Sequence, residues 1–467
     1  MNANQSKQQS NTQAKATRGA RKEKPSARLV VAYALLQMMR QSAYSNLVAE
    51  SRFDTLDSPR DRAFASTLFY GVLERQITLR RIVASYCRKP VDKLDPEVLC
   101  ALEMGLYQLL FLDSVPERAA VNESVLLTRK LGKQSASGFV NGVLRAFIRD
   151  GKPLCPGAEK LSPLERLSAE ASAPEELCRL LMEQYGEKTA RQFLLDSLEP
   201  APVFVRANTT RVTPEKLRAE LEQAGTGVEE TVLPACLRLE KPGDVTAYAA
   251  FGEGRFHVQD LSSQLCCQAL DVRPGMRVLD ACSAPGGKTF TLAEQMENQG
   301  EVVACDLYPA RVGLIQSGAE RLGLSIVHPR VMDASAPDEG IGTYDRVLCD
   351  VPCSGLGIIG RKPDIKYRMT KESCGELAKL QREILSVVWN YVKPGGTLVF
   401  STCTIDKMEN EDNRAWFLEH FPFEAADISA AMKGAFLEET LKEGYIQLLP
   451  AYHNSDGFFL SVFRRKD

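Results

Sequence analysis

The sequence predicts a multidomain chain: an all-α front unit, a small α/β subdomain resembling an RNA-recognition fold, and a Rossmann-like α/β domain built on a doubly wound parallel sheet. Three observations predict this. The 467 residues exceed what one ordinary domain holds. Apolar residues between about 27 and 150 recur at helical spacing, and the last two hundred residues alternate apolar strand runs with amphipathic helices. The composition, 44% hydrophobic and 25% charged, is that of a soluble globular protein. No run approaches the roughly eighteen uninterrupted apolar residues of a membrane span, and the N-terminus lacks the apolar core of a secretion signal, so a cytoplasmic protein with no membrane contact is expected.

Residues 1–26 are rich in Gln, Asn, Ser and basic side chains and read as a disordered basic tail. From 27 to 150, Phe64, Leu68 and Val72 lie four residues apart, while Ser58-Pro59, Asp95-Pro96 and Ser114-Val115-Pro116 have the form of helix starts. Further amphipathic runs, Ala119 to Leu131 and Phe139 to Ile148, stop at Gly132 and before Asp150-Gly151. Pro153, Pro156 and Pro163 mark 151–173 as a linker. Residues 174–259 read as a small RNA-facing α/β subdomain: two helical stretches, a strand at 203–208, a helix opening at Thr213-Pro214, and strand-like segments near 231–239 and 245–257. Residues 260–467 read as the doubly wound α/β domain, with strands expected at 277–282, 302–306, 325–331, 344–350 and 397–402 and a terminal antiparallel pair at 445–449 and 458–463.

The thirteen cysteines are odd in number, scattered and without CxxC spacing, and the chain has only four histidines. That excludes a disulfide framework and points to no metal; most of the cysteines are expected to act as small buried hydrophobes. After the first catalytic strand, Asp280 leads into the turn Cys282-Ser283-Ala284-Pro285-Gly286-Gly287-Lys288, where open α/β sheets bind ligands. The turn is neither GxGxxG nor a complete GxxxxGK[ST] loop, which argues against a nucleoside triphosphate. Asp306, ending the second strand, is suited to accept from both hydroxyls of a ribose, Asp333 could reach an adenine amino group, and the 282–288 backbone would face the rest of a nucleoside cofactor.

Asp350-Val351-Pro352-Cys353-Ser354-Gly355 follows the fourth strand and Ser401-Thr402-Cys403-Thr404 the fifth. Adjacent parallel strand tips lie roughly 5 Å apart, so both thiols can converge on one ligand. These strings and the Ala-Pro-Gly-Gly-Lys-Thr turn closely resemble those of the Nol1/Nop2/Sun family of RNA cytosine-C5 methyltransferases, over roughly residues 160–467. Phe256–Gln264 and Asp456-Gly457-Phe458-Phe459 fit the same family, and Ser283 stands where alanine is common in it. The resemblance implies S-adenosylmethionine as cofactor, Cys403 as nucleophile on C6 of the base, Cys353 as the cysteine that assists release, and Asp350 as the group holding the base by its N3/N4 edge. The segments Asp61–Phe64 and Phe139–Arg145 resemble the NusB family of small helical RNA-binding proteins.

A NusB-like front unit on this catalytic module is the arrangement of the bacterial RsmB/Sun group, which implies cytosine 967 of 16S ribosomal RNA as target, taken as naked or early-assembly RNA by a monomer. Two alternatives stay open: methylation of a transfer RNA or another ribosomal cytosine, and a non-catalytic RNA-binding or antitermination factor. The basic loop Arg361-Lys362-Pro363-Asp364-Ile365-Lys366 is expected to meet RNA phosphates, and no histidine is placed to deprotonate Cys403.

Overall fold

A computed structural model describes residues 25–40, 45–432 and 439–467. The basic tail expected over 1–26 therefore lies, up to residue 24, outside the described residues. Two compact units are present: one runs to Leu73 and then from Val83 to Pro153, and the other comprises Glu74–Ile82 and Leu154–Asp467.

The first unit is all-helical, as its spacing predicted. Helices Pro59–Glu74 and Pro96–Phe111 begin at the expected prolines, and Glu117–Lys130 and Ser137–Arg149 follow. In the last of these Val140, Val143, Leu144 and Phe147 are buried, the i, i+3, i+4, i+7 stripe of a helix with one apolar face. Helix Pro96–Phe111 is instead buried without a break from Val98 to Leu109, as befits the central element of the bundle.

The second unit holds two sheets. The smaller joins β1 (Val203–Ala207), β2 (Gly227–Glu230), β3 (Cys236–Glu240) and β4 (Phe256–Val258), antiparallel and in the order β2-β3-β1-β4, with helix Pro214–Gln223 beside it. The larger contains β5 (Arg277–Asp280), β6 (Glu301–Asp306), β7 (Val327–Val331), β8 (Tyr344–Asp350), β9 (Val392–Thr402), β10 (Phe423–Ala425), β11 (Tyr445–Leu448) and β12 (Phe458–Arg465). Its order is β10-β12-β9-β8-β5-β6-β7, with β11 also on β12. Strands β5 to β9 pair in parallel, whereas β10, β11 and β9 each pair antiparallel with β12. The chain winds outward from β5 through β6 to β7, then returns to β5's other side with β8. The crevice at the carboxyl ends of β5 and β8 is thus the switch point where such sheets take ligands.

Three local expectations are corrected. The supposed linker 151–173 contains helix Pro163–Ala171, closed by a capping box between Ser162 and Glu165; Pro163 starts that helix at its first position, where a missing N–H costs nothing. The strand expected over 245–257 is a 3₁₀ turn and a short helix up to Gly252, because Asp244 caps the turn at Thr246, and only Phe256–Val258 is extended. Strand β9 begins at Val392 rather than Thr397, since Gly395, at φ 68°, lets the chain bulge and rejoin β8 in a shifted register.

Helix Pro163–Ala171 and the longer helical segment Glu175–Asp196, kinked at Gly186, support the loops that carry Cys353 and Cys403. Leu167, Leu177, Leu181 and Phe193 share one core with Leu356 and Ile359, just past Cys353, and with Ile405, just past Cys403. The Tyr185 hydroxyl donates to the Ile405 carbonyl at 2.5 Å, and Gln184 Nε2 to Asp406 Oδ1 at 2.7 Å. Arg206 of β1 meets Glu294 of helix Gly287–Gln295 at 2.7 Å with both side chains buried, which ties the small sheet to the helix that follows the glycine-rich turn.

Candidate active site

At the carboxyl ends of β5, β6 and β8, a cleft of about 520 Å³ is lined by Cys282, Ala284, Asp306, Asp333, Asp350, Cys353 and Cys403, with Leu307, Tyr308, Met332 and Ile384 supplying apolar walls. A smaller cleft of about 210 Å³ shares Cys282, Ala284 and Asp350 and adds Ser283, Pro285, Gly287 and Lys288. Every predicted site residue except Gly286 thus faces one or both. Gly286 serves the turn: it sits at φ 111°, and a Cβ there would lie 2.4 Å from the Phe290 ring. The mixture of apolar wall and a few converging carboxylates, at this size, suits a nucleoside with an attached amino acid.

Each carboxylate has a distinct engagement. Asp306 is almost fully buried, accepts from the Tyr308 amide at 3.1 Å and faces Arg311 Nη1 at 2.9 Å. Asp333 is exposed and accepts from the Ser335 amide and hydroxyl, which hold its carboxyl below the ordinary range. Asp280 is buried against the Thr289 hydroxyl at 2.6 Å, and burial pushes its carboxyl up to about 7. The Ser283 hydroxyl donates to the Cys305 carbonyl at 2.9 Å, so the serine in the turn is spent on the end of β6. Asp350 accepts from Ser401 Oγ at 2.8 Å and from Lys288 Nζ at 2.7 Å. Burial disfavours the Lys288 ammonium, but the Asp350 carboxylate together with Cys266 and Cys267 outweighs it and lifts its pKa above the ordinary value; the Phe458 ring lies 5.1 Å from the same nitrogen.

The two cysteines meet: Cys353 Sγ lies 3.3 Å from Cys403 Sγ. Hydrogen bonding to Cys403, burial and the nearby Cys403, Glu409 and Asp350 charges push the Cys353 thiol well above its ordinary value, which favours its protonated form. Cys282, in the same cleft, is also held high by burial and by neighbouring acidic groups, and so remains an inert thiol. Eight of the thirteen cysteines are buried, as expected of small hydrophobes. The loops that carry the pair are stitched together by Ser354 Oγ and Thr404 Oγ1 at 2.6 Å and by the Gly357 amide donating to the Cys403 carbonyl at 3.0 Å. Gly357 in turn accepts from the Gly457 amide at 2.9 Å, an approach so close that a Cβ on Gly357 would fall 1.9 Å from the Gly457 carbonyl. The Asp456-Gly457 string is therefore part of the frame around Cys403.

The basic loop behaves differently from its expectation. Arg361 is held by Asp456 at 2.7 Å, Asp260 at 2.9 Å and the Pro202 carbonyl, and Lys366 is buried, donating to the Glu74 carbonyl at 2.8 Å. Both cations are committed to the fold, and within the loop only Lys362 is an exposed base. Neither cleft is lined by a histidine. His257 contacts Glu294 and packs on Phe290. Sequence reasoning missed Gln381, Glu409 and Asn413, all fully buried beneath the Cys353 loop. Their only local signal is an acid and an amide, Glu409 and Asn413, a few residues past Cys403. Among the described residues, the ligand atoms of Cys374, Asp406 and Glu409 lie within 4.8 Å of one another; one oxygen of each carboxylate is already engaged by protein donors.

Comparison with known proteins accords with this geometry. Residues 267–464 match the family model for the 16S rRNA methyltransferase RsmB/F, residues 25–149 that of the NusB family, and residues 173–246 a Methyltr_RsmF/B-like, ferredoxin-like domain. The chain is 36% identical to a probable ribosomal RNA small subunit methyltransferase B of Bacillus subtilis, covering 95% of this chain and 100% of the relative. It is 32% identical to the ribosomal RNA small subunit methyltransferase B of Salmonella paratyphi B, covering 95% and 100%. Among solved structures, PH0851 superposes with a TM-score of 0.77 at 26% identity, covering 94% of this chain and 99% of that one. A methyltransferase homologue from Pyrococcus horikoshii gives 0.57 at 28% identity, covering 65% and 100%. With a NusB-like unit, a ferredoxin-like subdomain and a methyltransferase sheet in that order, the chain belongs to the 16S rRNA methyltransferase RsmB/F family and is a small-subunit ribosomal RNA methyltransferase.

Proposed function

We propose that the chain methylates C5 of a cytosine in 16S ribosomal RNA, position 967 by its domain arrangement, acting in the cytoplasm as a monomer on naked or early-assembly RNA. The observation that carries this reading is that one cleft is lined by both a converging thiol pair and two acids, Asp306 and Asp333, that lie at the ends of neighbouring strands. Asp306 and Asp333 would hold the ribose and adenine of S-adenosylmethionine, and the 282–288 turn its amino-acid end. When bound, that cofactor supplies an electrophilic methyl group. Cytosine C5 is too weak a nucleophile to accept it until C6 is attacked. Cys403, as thiolate, forms the S–C6 bond and pushes electron density to C5, with Asp350 steadying the N3/N4 edge. Once C5 is methylated it must lose its proton, and the returning electron pair expels Cys403 from C6. Cys353, 3.3 Å away, is positioned to serve that release. An unpaired, splayed cytosine is required for entry, in keeping with recognition of RNA loops. The unit over 27–150 would add RNA affinity, and 174–259 would present the strand to the cleft.

With labelled cofactor and protein-free RNA, label is expected in 16S RNA as a single 5-methylcytosine. Label in transfer RNA alone would overturn the substrate, and label on a base other than cytosine would overturn the chemistry. The Asp306→Ala variant is expected to weaken cofactor binding by about 10- to 100-fold, the worth of one charge-assisted hydrogen bond at about 1.5–3 kcal/mol. Equilibrium dialysis returning an unchanged Kd would remove Asp306 from the cofactor site.

A further inference from the structure

Beneath the Cys353 loop runs a hydrogen-bond chain whose direction is fixed at one end. Arg382 Nε donates to Asn413 Oδ1 at 2.7 Å, and a guanidinium only donates. Asn413 must therefore present its oxygen to Arg382, which leaves its Nδ2 to donate to Gln381 Oε1 at 2.7 Å. Gln381 must then offer Nε2 onward, and it does so twice: to Glu409 Oε2 at 2.8 Å and to the Pro352 carbonyl at 3.0 Å. The same Glu409 oxygen accepts the Ser354 amide at 2.9 Å. Every amide orientation in the chain follows from the arginine.

The two peptide groups held at its far end, the Pro352 carbonyl and the Ser354 N–H, flank Cys353 on either side. Nothing in regular secondary structure satisfies them, because the chain has left β8 at Asp350. A buried carboxylate is an expensive way to hold a loop: Glu409 and Gln381 are both fully buried, and burial pushes the Glu409 carboxyl above its ordinary value while Ser354 and Gln381 pull it back. An apolar pair of similar size would pack at less cost but could not grip both sides of one residue.

Resting on the two-cysteine reading above, we propose that Glu409 and Gln381 are positioning residues that clamp the Pro352-Cys353-Ser354 backbone, keep Cys353 in register with Cys403, and thereby serve release of the methylated base rather than attack on it. Attack needs only Cys403, which follows directly on strand β9 and precedes Ile405, whose carbonyl accepts the Tyr185 hydroxyl at 2.5 Å, an anchor that does not pass through the Cys353 loop. Release needs Cys353 at its present distance.

The test follows the RNA–protein adduct through single turnover in the full-length protein. In Glu409→Ala and Gln381→Met, adduct formation should stay close to the wild-type rate while adduct decay slows by about tenfold or more, the worth of one or two buried hydrogen bonds. Glu409→Gln keeps an acceptor oxygen in place and should decay within about threefold of wild type, which separates positioning from proton transfer by the carboxyl. In a Cys353→Ala background, Glu409→Ala should add nothing further, because the clamp acts through that thiol. Equal slowing of formation and decay, or additive slowing in the double variant, would overturn the proposal in favour of a merely structural role. A readout independent of catalysis is the rate at which diamide, itself reduced to the hydrazine, oxidises the two thiols to a Cys353–Cys403 disulfide, scored by peptide mapping. That rate should fall in Glu409→Ala and be restored in Glu409→Gln; an unchanged rate would sink the clamp even if the two-cysteine chemistry stands. If Cys353→Ala accumulated no adduct while diamide coupling still fell in Glu409→Ala, the assigned role of Cys353 would fail and the clamp would not.

Discussion

Cys403→Ala is expected to abolish methyl transfer, by on the order of 10⁴-fold or more, the scale of loss when a covalent nucleophile is removed. Cofactor binding should be retained, because the acids that would hold it, Asp306 and Asp333, lie at other strand ends and bond to Tyr308, Arg311 and Ser335 rather than to the cysteine. Stability should change by no more than about 1 kcal/mol, since the residue is only half-buried and its backbone carbonyl, not its sulfur, carries the bond to Gly357. A variant that lost activity together with cofactor affinity and Tm would point to collapse of the cleft instead. The useful control is Cys155→Ala, a half-buried thiol that lines neither cleft and whose loss should leave the protein active.

The second large effect concerns Lys288. Its ammonium is largely buried and paired with Asp350, whose other oxygen is held by Ser401. Lys288→Met keeps the stem and removes the charge, leaving a partly buried carboxylate without its cation. Breaking such a pair from one side costs about 3–5 kcal/mol, so a drop in Tm is expected, together with loss of activity by hundreds- to thousands-fold as Asp350 turns or takes up a proton. The double variant Lys288→Met/Asp350→Asn removes both charges and should regain most of the stability but none of the activity, because the carboxylate proposed to hold the base is gone. Recovery of activity in the double variant would contradict the role given to Asp350; full stability in the single variant would show that the pair is not the electrostatic unit its 2.7 Å separation implies.

What was legible in the sequence was what local pattern encodes. Strand β8 falls where its apolar run predicted, Tyr344–Asp350, and the two cysteines meet because they end neighbouring parallel strands. Helices Pro59–Glu74 and Pro96–Phe111 begin at prolines that the fixed φ of that residue suits to a first turn. What failed was what depends on distant partners. Arg361 and Lys366 look like a phosphate-binding loop until Asp260 and Asp456, 101 and 95 residues from Arg361, are brought beside it by the fold. Pro163 was counted as a breaker although it opens a helix whose Leu167 shares a core with the loops that carry Cys353 and Cys403. Gln381, Glu409 and Asn413 carry no periodic signature, and their meaning appears only when helix Lys371–Val388 is laid against the segment after Cys403.

Two thiols 3.3 Å apart are proposed to divide one covalent reaction between them. This division is tested most directly by incubating wild type, Cys403→Ala and Cys353→Ala with 16S RNA and cofactor and resolving the products on a denaturing gel. The account predicts no RNA–protein adduct with Cys403→Ala and a persistent adduct with Cys353→Ala. Methylated cytosine produced by Cys403→Ala, or an adduct that survives its loss, would contradict it.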